Sequence, residues 1–117
     1  MHNPPAAEFI AIWEYEVRPE QASSFVAAYG AGGPWIQLFS RSEGYLGTTL
    51  LRDPAGSARF VTIDRWASVA AFDRFQEEYR AEYVALDEVC GRFTVREHRI
   101  GHFSVVGCSA RAKPDGG

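Results

Sequence analysis

The sequence predicts an α+β fold, a four-stranded antiparallel sheet with helices on one face, in the order β-α-β-β-α-β. Three observations predict it. The 117 residues suit one domain. Four segments are rich in β-branched and aromatic residues, the mark of strands. Two others repeat apolar residues at three- and four-residue steps, the mark of helices, and they follow the first and third strands.

Glu8 to Val17 is the first strand. Phe9, Ala11, Trp13, Tyr15 and Val17 form one face, and Ile10 and Ile12 lie on the other. A strand apolar on both faces belongs mid-sheet, covered on both sides. Pro19 opens the first helix, with Glu20 in its first turn and Ala22, Phe25, Val26 and Tyr29 at helical spacing. Gly30, Gly32 and Gly33 interrupt it, and Pro34 restarts a helical turn that carries Trp35, Ile36, Leu38 and Phe39.

Gly44 to Asp53 and Arg59 to Trp66 are the second and third strands, an expected antiparallel hairpin around the loop 53–57. Ser68 is a good N-cap for a helix of about 20 residues. It carries Val69, Phe72, Phe75, Tyr79, Tyr83 and Leu86 inward, with a break expected near Tyr79. Gly91 ends it, and Phe93 to Val106 is the last strand, with Gly101 marking a possible bulge. This order with right-handed crossovers is the ferredoxin-like arrangement. Residues 1–7 read as a loose arm, 8–106 as the domain and 107–117 as a flexible tail. Such a domain leaves one sheet face wet, so strand 1 predicts a homodimer joined through the sheet faces.

Composition narrows the function. Hydrophobic residues make up 46%, enough for a true core. A net charge of −3 and a single lysine, Lys113, argue against nucleic acid as a partner. No apolar run approaches the roughly 20 residues that span a bilayer. The start, Met1-His2-Asn3-Pro4-Pro5, lacks the pattern of a signal peptide, so a cytoplasmic protein with no membrane partner is expected. Cys90 and Cys108 sit in no metal or redox motif and read as free thiols.

The 16 aromatic residues, 14% of the chain, are more than a core of this size usually needs. Trp35, Phe60, Trp66, Phe72, Phe75, Tyr79 and Tyr83 lie among those on inner faces. They are either plain core or the walls of a cavity for a flat aromatic ligand. Each buried phenol or indole should then find a polar partner. Asp64 alternates onto the face of Phe60, Thr62 and Trp66. Burial should raise its pKa unless a donor or cation meets it, which would fit a base for a phenolic proton or a plain buried hydrogen-bonding carboxylate. His98 and His102 lie four residues apart on the last strand. Both rings should face one way, about 13 Å apart and too far to share a metal ion. His98 is taken as a candidate acid, base or hydrogen-bond donor. Glu14 and Glu16, with Arg96 or Arg99, could pair across a dimer interface or simply be solvated.

Five stretches carry a family resemblance: Trp13 to Glu20, Tyr29-Gly30 through Gly33-Pro34-Trp35, Gly44 to Thr48, Asp64-Arg65-Trp66-Ala67-Ser68, and Ile100-Gly101-His102-Phe103. Over about residues 9–105 the chain resembles the antibiotic biosynthesis monooxygenase (ABM) family of dimeric α+β barrels. The resemblance implies a dimer of ferredoxin-like subunits and carries Trp66 over to the family's tryptophan after strand 3. Characterised members include cofactor-independent oxygenases of phenolic polyketides and haem-degrading oxygenases. The haem-degrading members use a helix 2 histidine, and Phe72 to Glu77 contains none. They also use a strand 1 asparagine, where this chain most nearly has Trp13.

The expected function is a cofactor-independent monooxygenase-like enzyme that oxidises an aromatic or quinol-type metabolite with O₂. Asp64, Trp66 and His98 are its candidate catalytic residues. Phe60, Phe72, Phe75, Tyr79, Tyr83 and Trp35 would bind the substrate. The alternatives are a non-catalytic or stress-related binding barrel and a non-oxidative barrel enzyme such as a cyclase or isomerase.

Overall fold

A computed structural model describes residues 6–56 and 58–112. Residues 1–5 of the expected arm and 113–117 of the expected tail, Lys113 among them, lie outside the described residues, as does Ser57. The sheet is antiparallel with strand order β2-β3-β1-β4. The strands are β1 (Phe9–Val17), β2 (Tyr45–Arg52), β3 (Arg59–Trp66) and β4 (Thr94–Ser104). β1 lies between β3 and β4, as its two apolar faces require.

A short 3₁₀ turn at Pro19–Gln21 leads into α1 (Ala22–Tyr29), so proline opens the helical segment but not the α-helix itself. Gly32 reverses the chain with a φ of 76°, a conformation costly for any residue with a Cβ, and α2 (Pro34–Phe39) follows. Ser68 caps α3 (Val69–Glu78) by accepting a hydrogen bond from the Ala71 amide at 3.1 Å. The long amphipathic segment breaks at Tyr79, as its sequence predicts, and continues as α4 (Arg80–Cys90). The last strand is shorter than expected because Gly91–Phe93 forms a 3₁₀ turn before it.

The core fills the space between the sheet and this helical layer. Phe25 stacks on Tyr29 with ring centroids 4.2 Å apart and touches Tyr15 and Phe60 edge-on or tilted. Trp66 is ringed by Phe39, Tyr45, Phe72 and Phe75 at centroid distances of 5.0–5.6 Å. Rings packed this way gain more than their buried area alone supplies. Cys90 is buried and Cys108 exposed, and both are free thiols. Among the described residues no helix is long and apolar enough to cross a membrane.

The two histidines depart from the expected geometry. Ile12 pairs with Gly101, but Trp13 pairs with Arg99, so Ile100 is an extra residue in β4. Such a bulge inverts the alternation of every residue beyond it. His102 falls opposite Ala11 on the helix side, whereas His98 falls opposite Glu14 on the outer face. The expectation that both rings face one way is therefore corrected. Glu14 does not wait for a second chain either. Arg59 donates to its Oε2 from Nε and Nη2, at 3.0 and 2.6 Å.

Candidate functional site

The sheet register builds the floor of the site as a ladder of helix-facing residues. Tyr15 stands between Phe60 and Glu97, and Trp13 stands between Thr62 and Arg99. Ala11 stands between Asp64 and His102, and Phe9 between Trp66 and Ser104. Small Ala11 leaves a gap between two polar neighbours.

Above this floor lies a cavity of about 280 Å³, walled by rings that include Trp13, Trp35, Phe39 and Tyr83. Its polar groups include Thr48, Thr62, Asp64, Asp87 and Glu97. A second lobe of about 250 Å³ shares Trp13, Phe39, Asp64 and Tyr83 with the first. It reaches over Ala11 to Trp66, Phe72, Arg99 and His102. Asp64 thus belongs to both lobes.

The Thr48 hydroxyl donates to Asp64 Oδ1 at 2.7 Å. The Tyr45 hydroxyl lies 2.6 Å from the Thr48 oxygen. Thr48 has one proton and gives it to Asp64, so Tyr45 must be the donor in the second bond. β2 pairing places Thr48 directly opposite Asp64, and Tyr45 opposite Trp66. The pKa of Asp64 is raised to about 6, because burial outweighs the Thr48 hydrogen bond. A carboxyl in that range suits proton transfer near neutral pH.

The other titrating groups are tuned in the same sense. Burial pushes Tyr83 up to about 12. Burial also holds Tyr15 above the ordinary phenol range, although Thr62 bonds its hydroxyl at 3.0 Å. Asp87 and Glu97 are both raised, chiefly by burial, and the charge of Asp87 adds to the rise of Glu97. The pKa of His102 is lowered, first by burial and then by neighbouring Arg99, with Asp73 acting the other way.

The residues singled out from sequence divide clearly. Asp64, Trp66, Phe72, Tyr83 and Trp35 border one or both lobes. Phe60 and Phe75 are each only 1% exposed and border neither, so they act as core behind the walls. Tyr79 packs against Phe75 and under the Arg41 guanidinium, away from both lobes. His98 sits on the outer sheet face, across the sheet from the cavity. The expected polar partners for buried indoles are also missing at two places. Nε1 of Trp35 and Nε1 of Trp66 have no hydrogen bond.

Sequence reasoning missed Thr48, Asp87, Glu97, Arg99 and His102 as site residues. Thr48 needs the hairpin register to meet Asp64, and His102 needs the bulge. Thr62 was visible by alternation with Asp64. Among the described residues no group of three or more His, Cys, Asp and Glu side chains could hold a metal ion.

A four-stranded antiparallel sheet backed by helices, with an aromatic cavity between the layers, defines a ferredoxin-like α+β domain. The antibiotic biosynthesis monooxygenase family model matches residues 8–84, well over half the chain, and the chain belongs to that family. It is similar in fold to SnoaB, a cofactor-independent oxygenase from Streptomyces nogalater, with a TM-score of 0.64 and 20% identity, covering 95% of this chain and all of that one. It is also similar to a dimeric ferredoxin-like protein from an uncultured marine organism, with a TM-score of 0.67, 16% identity and coverage of 91% and 94%. No curated protein sequence matches the chain.

Proposed function

We propose that the protein is a cofactor-independent monooxygenase-like enzyme that oxidises an aromatic or quinol-type metabolite. The observation that carries this reading is Asp64, a carboxyl raised to about 6, bordering an aromatic-walled cavity of about 280 Å³. Family membership and the fold likeness to a cofactor-independent oxygenase support it.

Asp64 takes a proton from the bound substrate, and the electron-rich anion so formed is its own reductant. The anion passes one electron to O₂, and the substrate radical and superoxide combine. The peroxide anion so formed takes the proton back from Asp64. As the O–O bond breaks, the same ring carbon gives up its remaining hydrogen, so that one oxygen stays as a carbonyl and the other leaves as water. The chain's residues bind the flat ring, favour its anion and keep bulk water away. Trp66 holds the wall of the second lobe rather than exchanging protons, since an indole is a donor only.

The enzyme works as a homodimer. Ile10, Ile12, Val61 and Ile63 share the outer sheet face, which among the described residues carries no helix. The dimeric ferredoxin-like neighbour supports a dimer.

Oxygen uptake with a panel of anthrone- and quinol-like compounds tests the reading. At least one compound should be consumed, and Asp64→Asn should lower that rate by about 100-fold or more, the usual contribution of a general base. Equal rates in both proteins, or no uptake with any compound, would overturn it.

A further inference from the structure

We infer that the lobe above Ala11 is a two-ended clamp for a ring that bears oxygens on opposite edges. Asp64 would accept a hydroxyl at one end, and His102 with Arg99 would meet the second oxygen at the other. The inference rests on the proposed small-molecule reading and goes beyond it by naming the substrate's polarity.

The sheet register carries it. Asp64, Ala11 and His102 occupy neighbouring positions on β3, β1 and β4. Two strand spacings separate the outer backbones by roughly 10 Å. The residue between them is alanine, so no side chain fills the floor there. All three border the same lobe, walled by Phe72 and Trp66. One oxygen of Asp64 is held by Thr48, which leaves Oδ2 for a ligand. Across the gap, the His102 ring is fixed edge-on by Phe9 and Phe72 at centroid distances of 5.1 and 5.3 Å.

The two ends differ in chemistry. The Asp64 end offers an acceptor, its free Oδ2, because the Thr48 proton is already committed to Oδ1. It therefore asks the ligand for a donor, a phenolic hydroxyl. The far end offers the Arg99 guanidinium and the imidazole of His102, which can donate to a carbonyl, ether or phenolate oxygen. Other charged and titratable groups near this lobe are Tyr83 from α4 and Asp73 from α3, whose charge acts on His102 against that of Arg99. A ring with a hydroxyl at one edge and an acceptor oxygen at the opposite edge satisfies both ends. A ring with a single oxygen satisfies one.

Anaerobic binding of three naphthalenes, read by quenching of tryptophan fluorescence, tests the clamp. 4-Methoxy-1-naphthol has both groups, 1-naphthol lacks the acceptor, and 1,4-dimethoxynaphthalene lacks the donor. The first should bind tightest. His102→Phe keeps the ring packing, so it should cost 4-methoxy-1-naphthol roughly fivefold, the effect of one net hydrogen bond, while changing 1-naphthol less than twofold. Asp64→Asn should weaken both hydroxylated compounds and spare 1,4-dimethoxynaphthalene. If all three compounds bind wild type equally, or His102→Phe weakens both naphthols alike, the clamp fails while the cavity reading stands. If none binds wild type, both fail.

Discussion

Asp64 is held in a state that works against folding once the carboxyl ionises. Its ordinary pKa is 3.8, and in the folded protein it is raised to about 6. Below pH 3.8 the carboxyl is neutral in both states and contributes no difference. As pH rises from there to 6, the unfolded chain releases its proton first, so stability falls. Above 6 the loss is complete and constant, on the order of 3 kcal/mol at most. The Thr48 hydroxyl limits the rise, and an asparagine in place of Asp64 could accept the same bond through its amide oxygen. Asp64→Asn should therefore be more stable than wild type by about 1–3 kcal/mol at pH 7.5. The advantage should vanish near pH 3.5. Urea unfolding of both proteins across this range checks it, and a pH-independent difference would remove the argument that Asp64 is ionised at a cost.

At the scale of elements, local pattern and cross-strand register contributed differently. Ser68 as N-cap, the break at Tyr79 and the division of β1 into two alternating faces were all readable, because each depends on residues a few places apart. His102 was not readable, since the extra residue Ile100 shows itself only when β4 is aligned on β1. Gly101 gave a partial signal one residue away. Thr48 was hidden for the same reason, as its partner lies 16 residues on, across the hairpin. Aromatic spacing told which rings point inward, but not which stop short of the cavity. Phe60 and Trp66 share a strand face, yet only Trp66 borders a lobe.

Contact between elements also explains Gly44, which precedes β2 directly beneath α3. A Cβ at Gly44 would overlap the Cβ of Ala71, a short side chain that cannot swing aside. Gly44→Ala must push α3 away from the sheet, and overpacking of this kind costs about 1–3 kcal/mol. The melting temperature should fall by several degrees, roughly 4–8 °C per kcal/mol for a domain of this size. Gly91→Ala is the matched control, because nothing lies near its Cβ position. An equal loss in both variants would mean that glycine's backbone freedom, and not the close approach to α3, explains Gly44.

At the scale of the whole molecule, the proposed dimer follows from an imbalance between the two faces of one sheet. The helix side buries Phe9, Ala11, Tyr15, Phe60 and Trp66 almost completely. The outer side aligns Leu51 with Val61, Ile63 with Ile12, and Ile10 with Phe103. Leu51 and Phe103 are 43% and 47% exposed in the single chain. An apolar sheet face of this kind gains by docking on its own copy, because a two-fold contact matches each apolar strand with an identical one. Of the charges on that face, the Glu14 carboxylate is already paired with Arg59 within the chain. Light scattering at micromolar concentration should give twice the chain mass. Ile63→Glu would bring two unpaired carboxylates into the centre of the contact, where desolvation is costly. It should give the mass of one chain, with an unchanged circular dichroism spectrum showing that the fold is intact. A monomeric wild type, or a folded Ile63→Glu that stays dimeric, would mean that something other than a second copy covers this face.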